Sequence, residues 1–206
     1  WKFHCSEGII LYFPYRFPPL SLKKLTQNFL MNIVLIGYRG TGKSTLAKII
    51  SQKLDRKLHV LDAIISYSAG MSIQKIVAKW GWGRFREMET FQIRHLANKV
   101  DNAVIDCGGG VVLNPENITC LKKNGKTILL TAPIEVILKR IRPDSNRPTL
   151  KDGMDFNEEQ KQVLKEREPL YQKAADLVIE TTFSSPEDKA NQIIQTIIED
   201  GWISNA

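Results

Sequence analysis

Ile33-Val34-Leu35-Ile36-Gly37-Tyr38-Arg39-Gly40-Thr41-Gly42-Lys43-Ser44 is the stretch whose reading decides the fold. Four apolar residues read as a buried strand. The octet Gly37–Ser44 has the pattern G-x-x-x-x-G-K-S of a P-loop. Leu46, Ile50 and Leu54 follow at i, i+4, i+8, the apolar stripe of an amphipathic helix. Glycines at 37, 40 and 42 let the backbone curl so that successive N–H groups face phosphate oxygens. The helix starting near Lys43 turns its positive end on the same anion. Lys43 is placed to reach the β- and γ-phosphates and the Ser44 hydroxyl to ligate Mg²⁺. Gly37, Gly40, Thr41, Gly42, Lys43, Ser44 and Thr45 are therefore the expected triphosphate site. A glycine turn with a chance lysine is the bland alternative, and a strand before plus a helix after weigh against it. What receives the phosphate is left open by this stretch.

Outward from the octet, strand and helix alternate. Strands are expected at Ile33–Ile36, Leu58–Leu61 (ending at Asp62), Ala103–Ile105, Thr127–Leu130 and Leu177–Ile179. Ser72 caps a helix through about Trp80, Gly81-Trp82-Gly83 breaks the chain, and a long helix runs from about Arg84 to Lys99. Asn114-Pro115 is a cap with proline at the first helical position, and Gly125 is expected to close that helix. Pro133 opens a helix through about Ile141, another runs from Asn157 to about Ala175, and Pro186 opens the last. This order implies an α/β fold, a mostly parallel five-stranded sheet with helices on both faces.

Residues 142–155 include Arg142, Pro143, Asp144, Asn146, Arg147, Pro148, Asp152 and Gly153 and have little to bury. They read as a long loop acting as a mobile lid. Residues 1–30 hold Pro14, Pro18 and Pro19 and show no sustained period. They are expected to be an N-terminal extension outside the fold, with a docking or targeting arm as the functional alternative. Residues 31–206 are the expected domain.

Of the net charge of +7, Lys2, Arg16, Lys23 and Lys24 against Glu7 leave +3 before residue 31, and +4 for the domain. That balance suits anionic small molecules. Nucleic-acid binding would want a basic stripe or interleaved aromatics, and neither is present. Cys5, Cys107 and Cys120 have no metal-like spacing and cannot all pair, which suits the cytoplasm. No run approaches the roughly 18 apolar residues of a membrane span. A monomer handling small molecules is the expectation.

In open α/β sheets ligands bind beyond the carboxyl ends of the strands. Asp62 follows the second strand and reads either as a base that orients a substrate hydroxyl or as an ordinary helix N-cap. Gly108-Gly109-Gly110 follows the third strand and reads as a backbone surface for a ligand, or as a tight turn. Arg86 and Glu89, at i, i+3, read as an anion-gripping guanidinium held by its carboxylate, or as a weak surface pair. Cys107 has no neighbour in sequence that would activate it as a nucleophile.

Gly70-Met71-Ser72-Ile73, Phe85-Arg86-Glu87-Met88-Glu89, Gly108–Gly110, Arg147-Pro148 and Arg167-Glu168-Pro169-Leu170-Tyr171 fall in order behind the P-loop. In this the chain resembles the shikimate kinase family, over about residues 32–200. The resemblance implies a three-layer P-loop kinase fold of the nucleoside-monophosphate-kinase type. It implies transfer of the γ-phosphoryl of ATP to the 3-hydroxyl of shikimate, with Mg²⁺, in the pathway to aromatic amino acids. It further implies that Asp62 binds the reacting diol and acts as base. Arg86 and Arg167 then clamp the carboxylate, with Glu89 orienting Arg86. Gly108, Gly109 and Gly110 meet substrate through their backbone, Arg147 closes on the phosphates, and Arg140 lies near adenine.

The family usually carries Asp-x-Asp after strand two, whereas Val60 stands at the first position here. Asp106 is the expected substitute, holding a metal-bound water, with ordering of the glycine turn as its alternative role. The loop Thr182-Phe183-Ser184-Ser185-Pro186, expected beside adenine, lacks the basic residue often found there. A kinase for another hydroxy acid such as gluconate, and a non-catalytic nucleotide-binding regulator, are the rival readings.

Overall fold

A computed structural model of the chain describes residues 31–141 and 154–203. Its elements in order are β1 (Asn32–Ile36), α1 (Lys43–Lys53), β2 (Lys57–Val60), α2 (Leu61–Ala69), α3 (Ile73–Lys99), β3 (Ala103–Asp106), α4 (Pro115–Leu121), β4 (Gly125–Thr131), α5 (Ile134–Arg140), α6 (Phe156–Ala174), β5 (Leu177–Glu180) and α7 (Pro186–Glu199). All four strand pairings are parallel, in the order β2-β3-β1-β4-β5.

The period of two in β1 explains the three layers. Ile33 and Leu35 face one side, where they join Val104, Ile128 and Leu130 under Leu46, Ile50, Ile193 and Ile197 of α1 and α7. Val34 and Ile36 face the other, where Ile105 and Leu129 pack under Leu61, Ile65, Ile76, Ile93 and Val163 of α2, α3 and α6. Both faces are buried, so β1 reads as a continuous apolar run and not as an alternating one.

Three local expectations are corrected. Leu61 and Asp62 belong to α2 and not to the second strand. Leu61 and Ile65 are spaced i, i+4 and both are fully buried, but no Gly or Pro separates them from the strand, so the boundary is silent in sequence. Gly125 does not close α4; it opens β4 as the register partner of Asn32. The break at Gly81-Trp82-Gly83 is a kink within α3, made by Gly81 at φ 77°, ψ 170°.

Asn114 caps α4 through its side chain, which accepts from Glu116 N at 3.1 Å. Ser72 does the same for α3 at Lys75 N, 3.4 Å. Among the described residues no helix is long and apolar enough to cross a membrane. The expected extension 1–30 and most of the expected lid, Arg147 included, lie outside the described residues.

Candidate active site

A cleft of about 1210 Å³ opens at the carboxyl ends of β1, β2 and β3. One part of its lining is the P-loop. Gly42, at φ 90°, turns the chain into α1 in a left-handed conformation that a β-carbon disfavours. Lys43 is buried, and its Nζ donates to the carbonyl of Tyr38 at 2.9 Å. Thr41 Oγ1 donates to the same carbonyl at 2.7 Å. The loop is thus braced by its own residues before any phosphate arrives.

Arg140 lies against this loop. Its guanidinium donates to the carbonyls of Gly40 (3.3 Å) and Thr181 (2.7 Å). Thr181 Oγ1 in turn donates to the carbonyl of Thr41 at 3.0 Å. The segment after β5 is therefore tied to the P-loop, and Phe183 two residues on stands 89% exposed.

Asp106 ends β3 and is buried. The Ser44 hydroxyl hydrogen-bonds its carboxylate, and Lys43 faces it. Burial raises the Asp106 carboxyl above its ordinary 3.8, against the Ser44 bond and the Lys43 charge. Among the described residues no group of three or more His, Cys, Asp or Glu could cage a metal alone. One hydroxyl and one carboxylate are hard oxygen donors that leave most positions to water and phosphate, and that set fits Mg²⁺. Cys107 beside it is fully buried, and burial pushes its thiol well up, as an inert cysteine requires.

A second part of the lining is built on the glycine turn Gly108–Gly110. Asp62 sits in the first turn of α2, whose N-cap is Val60 and carries no side-chain capping bond. Asp62 lines the cleft instead. A β-carbon on Gly108 would lie 2.8 Å from Asp62 Oδ1 and 3.2 Å from Glu89 Oε1. Glu89 is fully buried, so its pair with Arg86 (2.7 Å) is no surface pair. Burial raises its carboxyl, opposed chiefly by Arg86 and reinforced by Asp62. Arg86 Nη1 donates to Glu89 Oε2, while Oε1 has no hydrogen-bond partner among the described residues.

A β-carbon on Gly110 would overlap the Arg86 guanidinium, so only glycine fits under it. Arg167, also buried, donates to the Gly109 carbonyl at 2.9 Å, and the Tyr171 hydroxyl donates to the same oxygen. Arg86, Arg167 and Asp62 thus meet on the glycine turn, in a cleft that Lys43 and Ser44 also line.

Several contributors were not singled out from sequence. The Arg86 guanidinium lies 5.4 Å over Trp82 and 4.9 Å over Phe85, whose rings meet edge to face at 5.6 Å. The kink at Gly81 immediately precedes Trp82, and two glycines around a tryptophan were the only signal. Tyr171, four residues after Arg167, had the helical spacing to share its target.

The family model described as shikimate kinase matches residues 39–198. The chain is 45% identical over 163 residues to the shikimate kinase of Caldicellulosiruptor bescii, covering 79% of this chain and 93% of that one. It is 42% identical over 172 residues to that of Pelotomaculum thermopropionicum, covering 84% and 98%. Its fold matches the solved structure of shikimate kinase from Acinetobacter baumannii in complex with shikimate, with TM-score 0.78, 32% identity and coverage of 85% and 97%. On its sequence, its fold and the make-up of this cleft, the chain belongs to the shikimate kinase family.

Proposed function

We propose that this cleft transfers the γ-phosphoryl group of ATP to the 3-hydroxyl of shikimate, giving shikimate 3-phosphate and ADP. The observation that carries the reading is the wall formed by Arg86, Arg167 and the glycine turn, with Asp62 against Gly108. Two guanidinium forks suit one carboxylate, and Lys would suit it less well. Asp62 orients the 3-hydroxyl and takes its proton as the oxygen–phosphorus bond forms. The bond from the γ-phosphorus to the bridging oxygen breaks, and its electrons leave with ADP.

Lys43 and the backbone N–H groups of the P-loop neutralise charge on the transferring group. Ser44 and Asp106 would hold Mg²⁺, which supplies charge neutralisation at the β- and γ-phosphates. Arg140 is assigned to the adenine side, supported by its bonds to Gly40 and Thr181. Arg147 is assigned to the phosphates, and residues 142–155 to excluding water, on the family resemblance alone. Action as a cytoplasmic monomer is part of the same reading; the buried free thiols of Cys107 and Cys120 support the compartment.

A coupled assay of ADP release with and without shikimate tests the reading. Shikimate-dependent release is expected. Its absence at millimolar substrate, from protein shown to be folded, overturns the assignment, and a panel of other hydroxy acids then identifies the acceptor.

A further inference from the structure

Tyr38 does two things at once. Its carbonyl accepts from both Lys43 Nζ (2.9 Å) and Thr41 Oγ1 (2.7 Å), so it sets where the phosphate lysine rests. Its hydroxyl donates to Gln160 Oε1 at 2.7 Å, across 122 residues of sequence. Both side chains are buried, Gln160 completely. Gln160 Nε2 donates to Glu159 Oε2 at 2.8 Å, which holds the amide in this orientation. Burial pushes the Tyr38 phenol up to about 12, so it stays a donor throughout the working pH range.

Gln160 stands on the helix that also serves the acceptor. On α6, Gln160, Arg167 and Tyr171 are spaced i, i+7 and i+11, which puts them on one face. Arg167 and Tyr171 both hold the Gly109 carbonyl. One helix thus grips the P-loop at one point and the glycine turn at another. A buried amide and phenol are costly to leave unpaired, so the bond resists breaking.

We propose that the Gln160–Tyr38 hydrogen bond makes Gln160 a positioning residue for phosphoryl transfer: it holds the Tyr38 carbonyl, and through it Lys43, in register with the acceptor wall carried by the same helix. The proposal rests on the kinase reading, which turnover of the unaltered enzyme tests separately.

The test uses Gln160→Met, which removes the acceptor at similar volume, and Tyr38→Phe, which removes only the hydroxyl and keeps a fold readout if the first variant is unstable. Each is expected to lower kcat/KM for ATP by about three- to tenfold, the size of one net hydrogen bond. The shikimate KM is expected to stay within about twofold, because Arg86 and Arg167 are untouched. In a Lys43→Met background, where the anchored group is gone, Tyr38→Phe is expected to leave the Kd for ATP unchanged. A folded Tyr38→Phe enzyme with unaltered kcat and KM for ATP overturns the proposal, as does an equal loss of ATP affinity in the Lys43→Met background.

Discussion

Val60 and Asp106 are register partners on the adjacent parallel strands β2 and β3. Val60 carries no carboxylate, and Asp106 carries one on the neighbouring strand, about 5 Å away across the ladder. Asp106 meets the Ser44 hydroxyl there. Asp106→Asn keeps the volume and removes the charge. It is expected to raise the Mg²⁺ concentration for half-maximal rate by about 10- to 100-fold, with the shikimate KM little altered. Adding Val60→Asp to that variant is expected to recover part of the loss. Rate measured against Mg²⁺ at fixed ATP decides the matter, and an unchanged profile removes Asp106 from the metal site.

Gly110 is the floor under Arg86. Gly110→Ala places a methyl group inside the space of the guanidinium, which must move away from Glu89 and Trp82. Overpacking of this kind costs about 1–3 kcal/mol. The shikimate KM is expected to rise at least tenfold, while the Kd for ATP, read by titration without shikimate, stays as in the unaltered protein.

Glu89 makes the stability depend on pH in a particular direction. Its carboxyl is raised above its ordinary 4.5 because burial outweighs the attraction of Arg86. The folded protein binds that proton more tightly than the unfolded chain does. This contribution to stability is full below 4.5 and is lost as pH rises through the raised folded value. Glu89→Gln cannot titrate. The Tm of Glu89→Gln relative to the unaltered protein is therefore expected to rise with pH over that window and then level off. A Tm difference that is flat with pH runs against the assigned shift.

Arg140 joins Gly40 to Thr181, and among the described residues its hydrogen bonds go to these two and not to Asp62, Arg86, Arg167 or the glycine turn. Arg140→Ala is expected to raise the KM for ATP by roughly five- to tenfold, the scale of one or two hydrogen bonds to a charged donor, and to leave the shikimate KM unchanged. Equal rises in both constants would mean that Arg140 supports the whole cleft and not its nucleotide half.

Local spacing alone determined much of this protein. The P-loop octet, its strand and its helix are contiguous, so their geometry follows from glycine placement and period. The i, i+3 pairing of Arg86 with Glu89 and the glycine triplet after an apolar strand are equally local. The start of α2 stayed hidden, because nothing punctuates the passage from Val60 to Leu61. Only the tertiary structure decided which distant residues meet. Strand register put Asp106 beside Val60, packing of α3 against the third strand's turn set Gly108 between Asp62 and Glu89, and docking of α6 joined Gln160 to Tyr38 and Arg167 to Gly109. The physical reason is range: hydrogen bonding and side-chain period act over a few residues, whereas these contacts join segments tens of residues apart, placed only once both faces of the sheet are buried.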